Sequence, residues 1–452
     1  VDFSTLALYN PWWSTDSDSE SLNTMLTKGI KGKLFQRDYM NRLDLSSNGV
    51  TIVRGPRQIG KSTLMKAAIA SLIGMQPRRA VMYLPLDTVS SFSQLRTLLL
   101  QFLQFSQKEE KRYIFIVEIM MVDRWQRAIK EVRDNTQMSE EVFVLTGSSA
   151  WDLKRDSERL PGRKGDIQSD HVLLPLTFRE YLSHRIEPLP PRKSLNDILT
   201  LSQEEMMEWV LIEEKLKVEW TQYQRSGGIP SVIEACFTGK DTMPLIQVFW
   251  DILIGDIERL GLSRSKLIQV LTYIGRRITS RLSWNGAASE IEIDTKTFQK
   301  YVEALGKNFV LITMKALDIH TGFPAEKKQK KLYFCDRFFL DVLMQKLAIQ
   351  LSKSAIIENL FAANCLFALN HSLENGLDEL IGCGYWYSRE GHEVDLLIDK
   401  VPIELKRQNH IQRSDLSTIG RTFKRGIVVS KQTMDMDQMI KVIPIHLFLA
   451  MI

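Results

Sequence analysis

The run Gly55-Pro-Arg-Gln-Ile-Gly60-Lys61-Ser62 restricts what this chain can fold into more than any other stretch of its sequence. Apolar Val50-Thr-Ile-Val53 reads as a buried strand leading into it, and Thr63-Leu-Met-Lys-Ala-Ala-Ile-Ala70 reads as a helix leaving it. A glycine-bounded turn in that setting closes its backbone around a phosphate. Successive N–H groups and the helix N-terminus face the anion, a lysine neutralises β- and γ-oxygens, and the next hydroxyl ligates Mg²⁺. The candidate cofactor-binding residues are therefore Gly55, Gln58, Ile59, Gly60, Lys61, Ser62 and Thr63, with Ser62 also a metal ligand; ATP and Mg²⁺ are the expected cofactors. A plain glycine turn is the alternative, and the flanking strand and helix argue against it.

Four further runs, Ala80-Val-Met-Tyr-Leu84, Tyr113-Ile-Phe-Ile-Val117, Glu141-Val-Phe-Val-Leu-Thr146 and His171-Val-Leu-Leu174, are short, branched and continuous. Strands buried on both faces have this character. Alternating with amphipathic segments, they predict an α/β fold, a P-loop NTPase parallel sheet of five strands flanked by helices.

A P-loop enzyme normally ends its third strand with an aspartate that supports Mg²⁺ and a glutamate that activates water. Here Glu118 is present as a candidate catalytic residue, and Val117 stands where the aspartate belongs. An apolar side chain cannot hold the metal's water shell, so nucleotide binding is a firmer expectation than rapid hydrolysis. Asp123 lies too far along the chain to be an obvious substitute. The sequence leaves three explanations open: a natural pseudo-ATPase, a substitution that traps nucleotide, or another carboxylate such as Asp87 moving in. Thr146-Gly147-Ser148-Ser149 reads equally as a γ-phosphate sensor and as a plain capped turn. Arg163, taken alone, reads as a surface charge.

At 452 residues the chain is too long for one core and predicts about three domains. Its 44% hydrophobic and 25% charged content is that of a globular protein, and no apolar run approaches the roughly 20 residues that span a bilayer. A cytoplasmic location is the expectation. Cys236, Cys335, Cys365 and Cys383 lack paired spacing, which argues against a zinc knuckle or a disulfide framework. The net charge of +5 permits a nucleic-acid partner without requiring one. Trp12, Trp13 and the acidic stretch Asp16–Glu20 carry no functional reading and are expected to pack on the first domain.

Further along, Arg185–Ser194 is a proline-rich break, Leu201–Arg225 reads as one long helical stretch, and Gly227-Gly228-Ile-Pro230 is a sharp turn, either hinge or connection. From Ser263 three helices are predicted, the last starting at Asp294 with Phe298, Tyr301, Val302 and Leu305 inward, as in a helix-turn-helix. Phe309–Met314 and Lys331–Phe334 would form a wing with Lys327, Lys328, Lys330 and Lys331 at or near its tip. That tip reads either as a grip on a phosphate backbone or as a solvated turn.

The second strong signal is the segment running from Glu393 through Asp395, Asp399-Lys400 and Glu404 to Lys406. With Asp399-Lys400 as a two-residue turn, Asp395 faces Glu404 and Glu393 faces Lys406. Alternation puts Val394, Leu396, Ile398, Val401, Ile403 and Leu405 on one face and the four charged residues on the other. Two carboxylates with Cβ atoms about 5 Å apart repel unless a cation lies between them, and a divalent metal is the economical expectation. The spacing is similar to the PD-(D/E)XK nuclease core. That resemblance implies Asp395 and Glu404 as metal ligands and catalytic groups, Lys406 as the residue that orients water, and Glu358 on an earlier helix as a further ligand. It also implies a strand around Gly382–Tyr387. The alternatives are an exposed hairpin with an ordinary ion pair, or a nuclease fold without activity. His392 reads as a solvated loop residue.

Taken together, these segments resemble the prokaryotic AAA+-like ATPases that carry a C-terminal DUF4143 domain. The resemblance runs through the phosphate loop, Glu118-Ile, Trp125, Thr146-Gly-Ser-Ser, Gly162-Arg163, Leu174-Pro-Leu-Thr-Phe-Arg-Glu-Tyr181 and Gly227-Gly-Ile-Pro230, and it covers nearly the whole chain. It implies that Ser148 or Ser149 is a sensor and that Arg163 approaches a phosphate, across a subunit boundary in a homo-oligomer. The partition expected is an N-terminal segment (1–35), an AAA+-like core (36–184), a helical connector (185–260), a winged-helix domain (261–345) and a PD-(D/E)XK nuclease-like DUF4143 domain (346–452). The function expected is ATP binding whose nucleotide state controls the C-terminal half, with DNA or another protein as partner. An ATP-regulated, metal-dependent DNA nuclease and a non-enzymatic ATP switch that binds a protein are the alternatives.

Overall fold

The five apolar runs become strands β1 (Gly49–Arg54), β2 (Val81–Pro85), β3 (Arg112–Val117), β4 (Glu141–Gly147) and β5 (Asp170–Val172). All pair in parallel, in the spatial order β2-β3-β4-β1-β5. Central β1 and β4 are buried along their full length, as strands covered on both faces must be. Helices Lys61–Ile73, Phe92–Phe105 and Trp125–Asn135 supply the crossovers. This is a computed structural model, and it describes residues 3–14, 43, 45–46, 48–87, 89, 91–135, 141–147, 170–370, 377, 380–436 and 438–452.

The N-terminal tryptophans do pack on this sheet. Trp12 and Trp13 each donate their indole N–H to the Val81 carbonyl (2.9 and 2.8 Å), and the Asn10 amide bridges the N–H and C=O of Tyr83 (2.6 and 2.9 Å). These bonds satisfy the outer edge of β2, which otherwise presents unpaired backbone groups. Asp16–Glu20 lie outside the described residues.

The chain divides into two units, Val1–Leu173 and Leu174–Ile452. Leu174–Ser183 finds its hydrogen-bond partners in the second unit. Leu176 exchanges bonds with Gly228 and Tyr223, the Phe178 N–H donates to Asn364 Oδ1 (2.6 Å), and Arg179 donates to the Ala450 carbonyl (2.8 Å).

The Gly227-Gly228 turn is a buried junction in that unit. Gly227 has φ +67°, and a Cβ there would lie 2.3 Å from Asp336 Oδ1; a Cβ on Gly228 would lie 2.1 Å from the Leu176 carbonyl oxygen. Asp336 accepts from the Gly228 N–H (2.6 Å) and from Phe338 N–H (2.9 Å), capping helix Arg337–Leu347. The stretch of helical character over Leu201–Arg225 forms helices Gln203–Val210 and Glu213–Ser226.

Three helices follow, Arg264–Arg276, Trp284–Glu290 and Thr295–Lys307, the last N-capped by the Asp294 side chain with Phe298, Tyr301, Val302 and Leu305 buried. With them goes a small antiparallel sheet of β6 (Arg281–Leu282), β7 (Leu311–Lys315) and β8 (Lys330–Phe334), in the order β6-β8-β7. The C-terminal sheet contains β9 (Cys383–Tyr387), β10 (Glu393–Ile398), β11 (Val401–Leu405), β12 (Gly426–Ser430) and β13 (Ile440–Pro444) in spatial sequence. Its first three strands are antiparallel neighbours, and β11, β12 and β13 run parallel. Helix Lys353–Leu369 is tied to β8 by Asn359, whose amide bonds both the N–H and the C=O of Phe334 (2.7 and 2.8 Å). All four cysteines are free, and among the described residues no helix is long and apolar enough to cross a membrane.

Candidate functional sites

The loop after β1 has a shape that only its own residues permit. Gly55 sits at φ +151°, and a Cβ there would lie 2.1 Å from the Leu173 carbonyl oxygen. Gly60, at φ +101°, N-caps the helix that begins at Lys61, and Gln58 is also left-handed at φ +61°. Lys61 is buried, its ammonium donating to the carbonyls of Gly55 (2.9 Å) and Pro56 (2.8 Å). Ile59 is buried beneath the turn, while Ser62 and Thr63 are exposed on the first helical turn. A backbone held open by glycine, a pinned ammonium and two exposed hydroxyls at a helix N-terminus fit a nucleotide's phosphates. Ser62 would hold Mg²⁺, which when bound neutralises charge on the β- and γ-oxygens.

Beside the loop, β4 lies between β1 and β3, so Thr146 pairs with Val53 and its hydroxyl accepts from the Glu118 N–H (3.3 Å). Thr146 is fully buried and thereby positions Glu118, a role that its place in a polar strand-end run only hinted at. Glu118 is left-handed (φ +54°, ψ +51°), a conformation that costs a residue with a Cβ on the order of 1 kcal/mol and that recurs at functional sites. Val117 is buried at the end of β3, and Asp87 and Asp123 are both exposed. Burial and then the Asp87 charge raise the Tyr83 phenol above its ordinary value. Ser148, Ser149 and Arg163 lie outside the described residues.

In the second unit the hairpin turns at Asp399-Lys400, both with positive φ (+48° and +68°), as a two-residue turn requires. Leu396 faces Ile403 and Ile398 faces Val401, the register expected of that turn. The apolar face is buried as expected, with Val394, Leu396, Ile398 and Ile403 all at 0% exposure.

The cation among the carboxylates is a lysine. Lys331 Nζ lies 2.5 Å from Glu393, 3.5 Å from Asp395 and 3.6 Å from Glu358. This corrects the wing reading: Lys331 and Lys330 are buried within β8, Lys328 lies over the Tyr387 ring, and of the four lysines only Lys327 is exposed. Period-2 alternation sends Lys331 to the carboxylates and Lys330 to the opposite face, toward the Trp284 ring.

Further contacts hold the cluster. Asp395 Oδ2 accepts from the Leu405 N–H (2.9 Å), Arg281 pairs with Glu393 (3.1 Å), and Lys406 pairs with Glu404 (2.6 Å). Glu404 Oε2 is buried without a hydrogen-bond partner.

Burial and then the neighbouring Asp395 charge push Glu358 up to about 7, against the pull of Lys331. Burial draws Lys331 down, but Tyr333, Asp395, Glu393 and Glu358 outweigh it and hold the ammonium charged. Burial raises Glu404 as well, with Lys406 opposing.

Four carboxylates (Glu358, Glu393, Asp395, Glu404) thus meet three cations (Lys331, Arg281, Lys406) in direct ion pairs. In this arrangement Lys331 supplies the positive charge that the spacing assigns to a metal. Among the described residues no three His, Cys, Asp or Glu side chains are grouped as a metal shell. The ligand set expected of Glu358, Asp395 and Glu404 is therefore a lysine-centred ion cluster in this arrangement. His392 is exposed.

The comparisons with known proteins accord with the first of these sites. Residues 47–182 match the family model of an AAA domain, AAA_14. With the phosphate loop and the five-stranded parallel sheet, this defines the N-terminal part as an ATP-binding, AAA-type P-loop domain. Residues 217–349 match a domain of unknown function, DUF8612, so the family found there is a different one from DUF4143. An uncharacterized protein of Haemophilus influenzae is 24% identical over 312 residues, 64% of this chain and 68% of its own length. Two solved structures from Aeropyrum pernix are also similar. One is ORC2 in ADPNP and ADP complexes (12% identity, TM-score 0.33, 73% of this chain and 94% of that one). The other is ORC1 in complex with DNA (11% identity, TM-score 0.28, 73% and 91%). At those TM-scores neither carries an argument about this chain.

Proposed function

We propose that this protein holds ATP at the 55–62 loop, turns it over slowly, and uses its nucleotide state to control the C-terminal half. The observation that carries the reading is buried, apolar Val117 at the end of β3, immediately before Glu118 and level with an intact phosphate loop. Ser62, Thr63 and Lys61 support binding; at the metal's second support, Val117 offers no oxygen.

The test is ATP binding and turnover with Mg²⁺ for the wild-type chain, Lys61→Ala and Val117→Asp. Binding lost in Lys61→Ala and turnover raised at least about tenfold by Val117→Asp are the expected results. Brisk wild-type turnover, unchanged by Val117→Asp, would refute it.

For the C-terminal half we infer a winged-helix domain over 261–345 and a nuclease-like domain of the PD-(D/E)XK, DUF4143 kind over 346–452. The capped helix Thr295–Lys307 with sheet β6-β8-β7 supports the first, and helix Lys353–Leu369 followed by antiparallel β9-β10-β11 and parallel β12 supports the second. The exposed Lys296, Lys300 and Lys327 suit a DNA partner, with a protein partner as the other outcome.

Lys331 among the carboxylates favours a switch over a cleaving enzyme. Mg²⁺-dependent DNA cleavage abolished by Asp395→Asn or Glu404→Gln would instead establish the nuclease. A nucleotide-dependent complex without cleavage would support the switch.

A further inference from the structure

Next to the hairpin, a separate cavity of about 420 Å³ opens in the second unit. Lys217, Lys353, Lys406, Arg407 and Lys431 line it together with buried His446, and no aspartate or glutamate is among the lining residues. Carboxylates behind the wall hold two of these cations. Lys217 pairs with Glu213 (3.0 Å) and Glu214 (2.8 Å), and Lys406 with Glu404 (2.6 Å). His446 Nε2 faces Glu213 at 3.1 Å, and burial lowers the imidazole's pKa, which favours the neutral ring. Lys431 donates to the neutral Asn409 amide (2.9 Å), and Lys353 and Arg407 make no ion pair among the described residues.

Five cations against the three carboxylates in contact with them leave a surplus of two positive charges. A phosphate monoester carries about −1.5 to −2 at neutral pH, which is the charge this surplus balances. The same lining also carries apolar Trp220, Ile357, Leu405 and Ile445. A lining that offers both cations and apolar side chains suits a ligand that joins a phosphate to a flat, weakly polar ring.

We propose that this cavity binds the phosphate and base of a nucleotide, at a site distinct from the ATP loop. Lys353, Arg407 and Lys431 receive the phosphate, and the apolar lining residues take the base. The nucleotide is either free or the 5′-phosphorylated end of a single strand, since both present the same chemistry.

The experiment uses the full chain carrying Lys61→Ala, which silences the ATP loop, in EDTA. Binding of AMP, inorganic phosphate and single-stranded oligonucleotides ending in 5′-phosphate or 5′-hydroxyl is measured by calorimetry. AMP binding assigns a free nucleotide, and a preference for the 5′-phosphorylated strand assigns a strand end; either supports the proposal. Lys353→Glu and Arg407→Glu should each weaken that binding at least about tenfold, as loss of one charge-assisted hydrogen bond does. Because neither residue makes an ion pair among the described residues, the milder Lys353→Gln and Arg407→Gln provide variants that leave the fold undisturbed.

In the chain with Lys61 intact, Lys353→Glu should leave ATP affinity at the loop unchanged, so failure here is separable from failure of the ATP reading. Three results overturn the site: no AMP or 5′-phosphate-dependent binding tighter than about 1 mM, inorganic phosphate binding as tightly as AMP, or affinities indifferent to both reversals.

Discussion

Replacing Lys331 with methionine removes the charge at the centre of the C-terminal ion cluster and keeps most of the stem's packing. At distances of 2.5, 3.5 and 3.6 Å and an effective dielectric of about 20, the gross attraction to Glu393, Asp395 and Glu358 is on the order of 15 kcal/mol. Most of that is offset by taking a side chain that is only 3% exposed out of water, and losing one partner of such a cluster costs about 3–5 kcal/mol. For a unit of this size that corresponds to a Tm lower by roughly 6–20 °C.

The assay is differential scanning calorimetry of both chains at pH 7.5 and at pH 5, with and without Mg²⁺. At pH 5 the deficit should shrink, because carboxylates deprived of their cation take up protons. A Tm within about 2 °C of wild type at pH 7.5 would refute the argument. So would Mg²⁺ stabilising the wild-type chain as much as the variant, since a metal and not Lys331 would then balance the cluster.

Glu358 has a folded-state pKa of about 7 against an ordinary 4.5, so the folded chain binds more protons than the unfolded one between those values. Its contribution therefore falls as pH rises through that window, by at most about 3 kcal/mol, and Glu358→Gln should flatten this part of the stability–pH curve read by urea denaturation. Gly227→Ala forces a Cβ to within 2.3 Å of Asp336 Oδ1 at φ +67°, and should destabilise by about 2–4 kcal/mol, visible as a lower urea midpoint. Gly55→Ala places a Cβ 2.1 Å from the Leu173 carbonyl oxygen, so ATP binding measured by fluorescence anisotropy should be lost while the second unit's unfolding transition is unchanged.

The nucleotide site was readable because its chemistry is contiguous: a strand, a glycine-bounded turn and a helix follow each other within β1 to Ile73, and phosphate binding uses local backbone. The substitution at Val117 was equally plain, since it follows from strand order. The hairpin register was legible as well, fixed by a two-residue turn and by alternation.

What balances the hairpin's carboxylates was not readable. Lys330 and Lys331 look alike in a basic run, and which one is buried among acids depends on helix Lys353–Leu369 covering one face of β8. The Gly227-Gly228 turn likewise read as hinge or connection until Asp336, far along the chain, was found filling the space a Cβ would need.

By itself, then, the sequence determined the parallel sheet, the phosphate loop and the hairpin turning at Asp399-Lys400, because local conformation and period-2 patterning act over a few residues. Only the tertiary structure decided that Lys331 takes the place expected of a metal and that five cations surround one cavity. Charge compensation depends on distance in space, and chain order does not encode it.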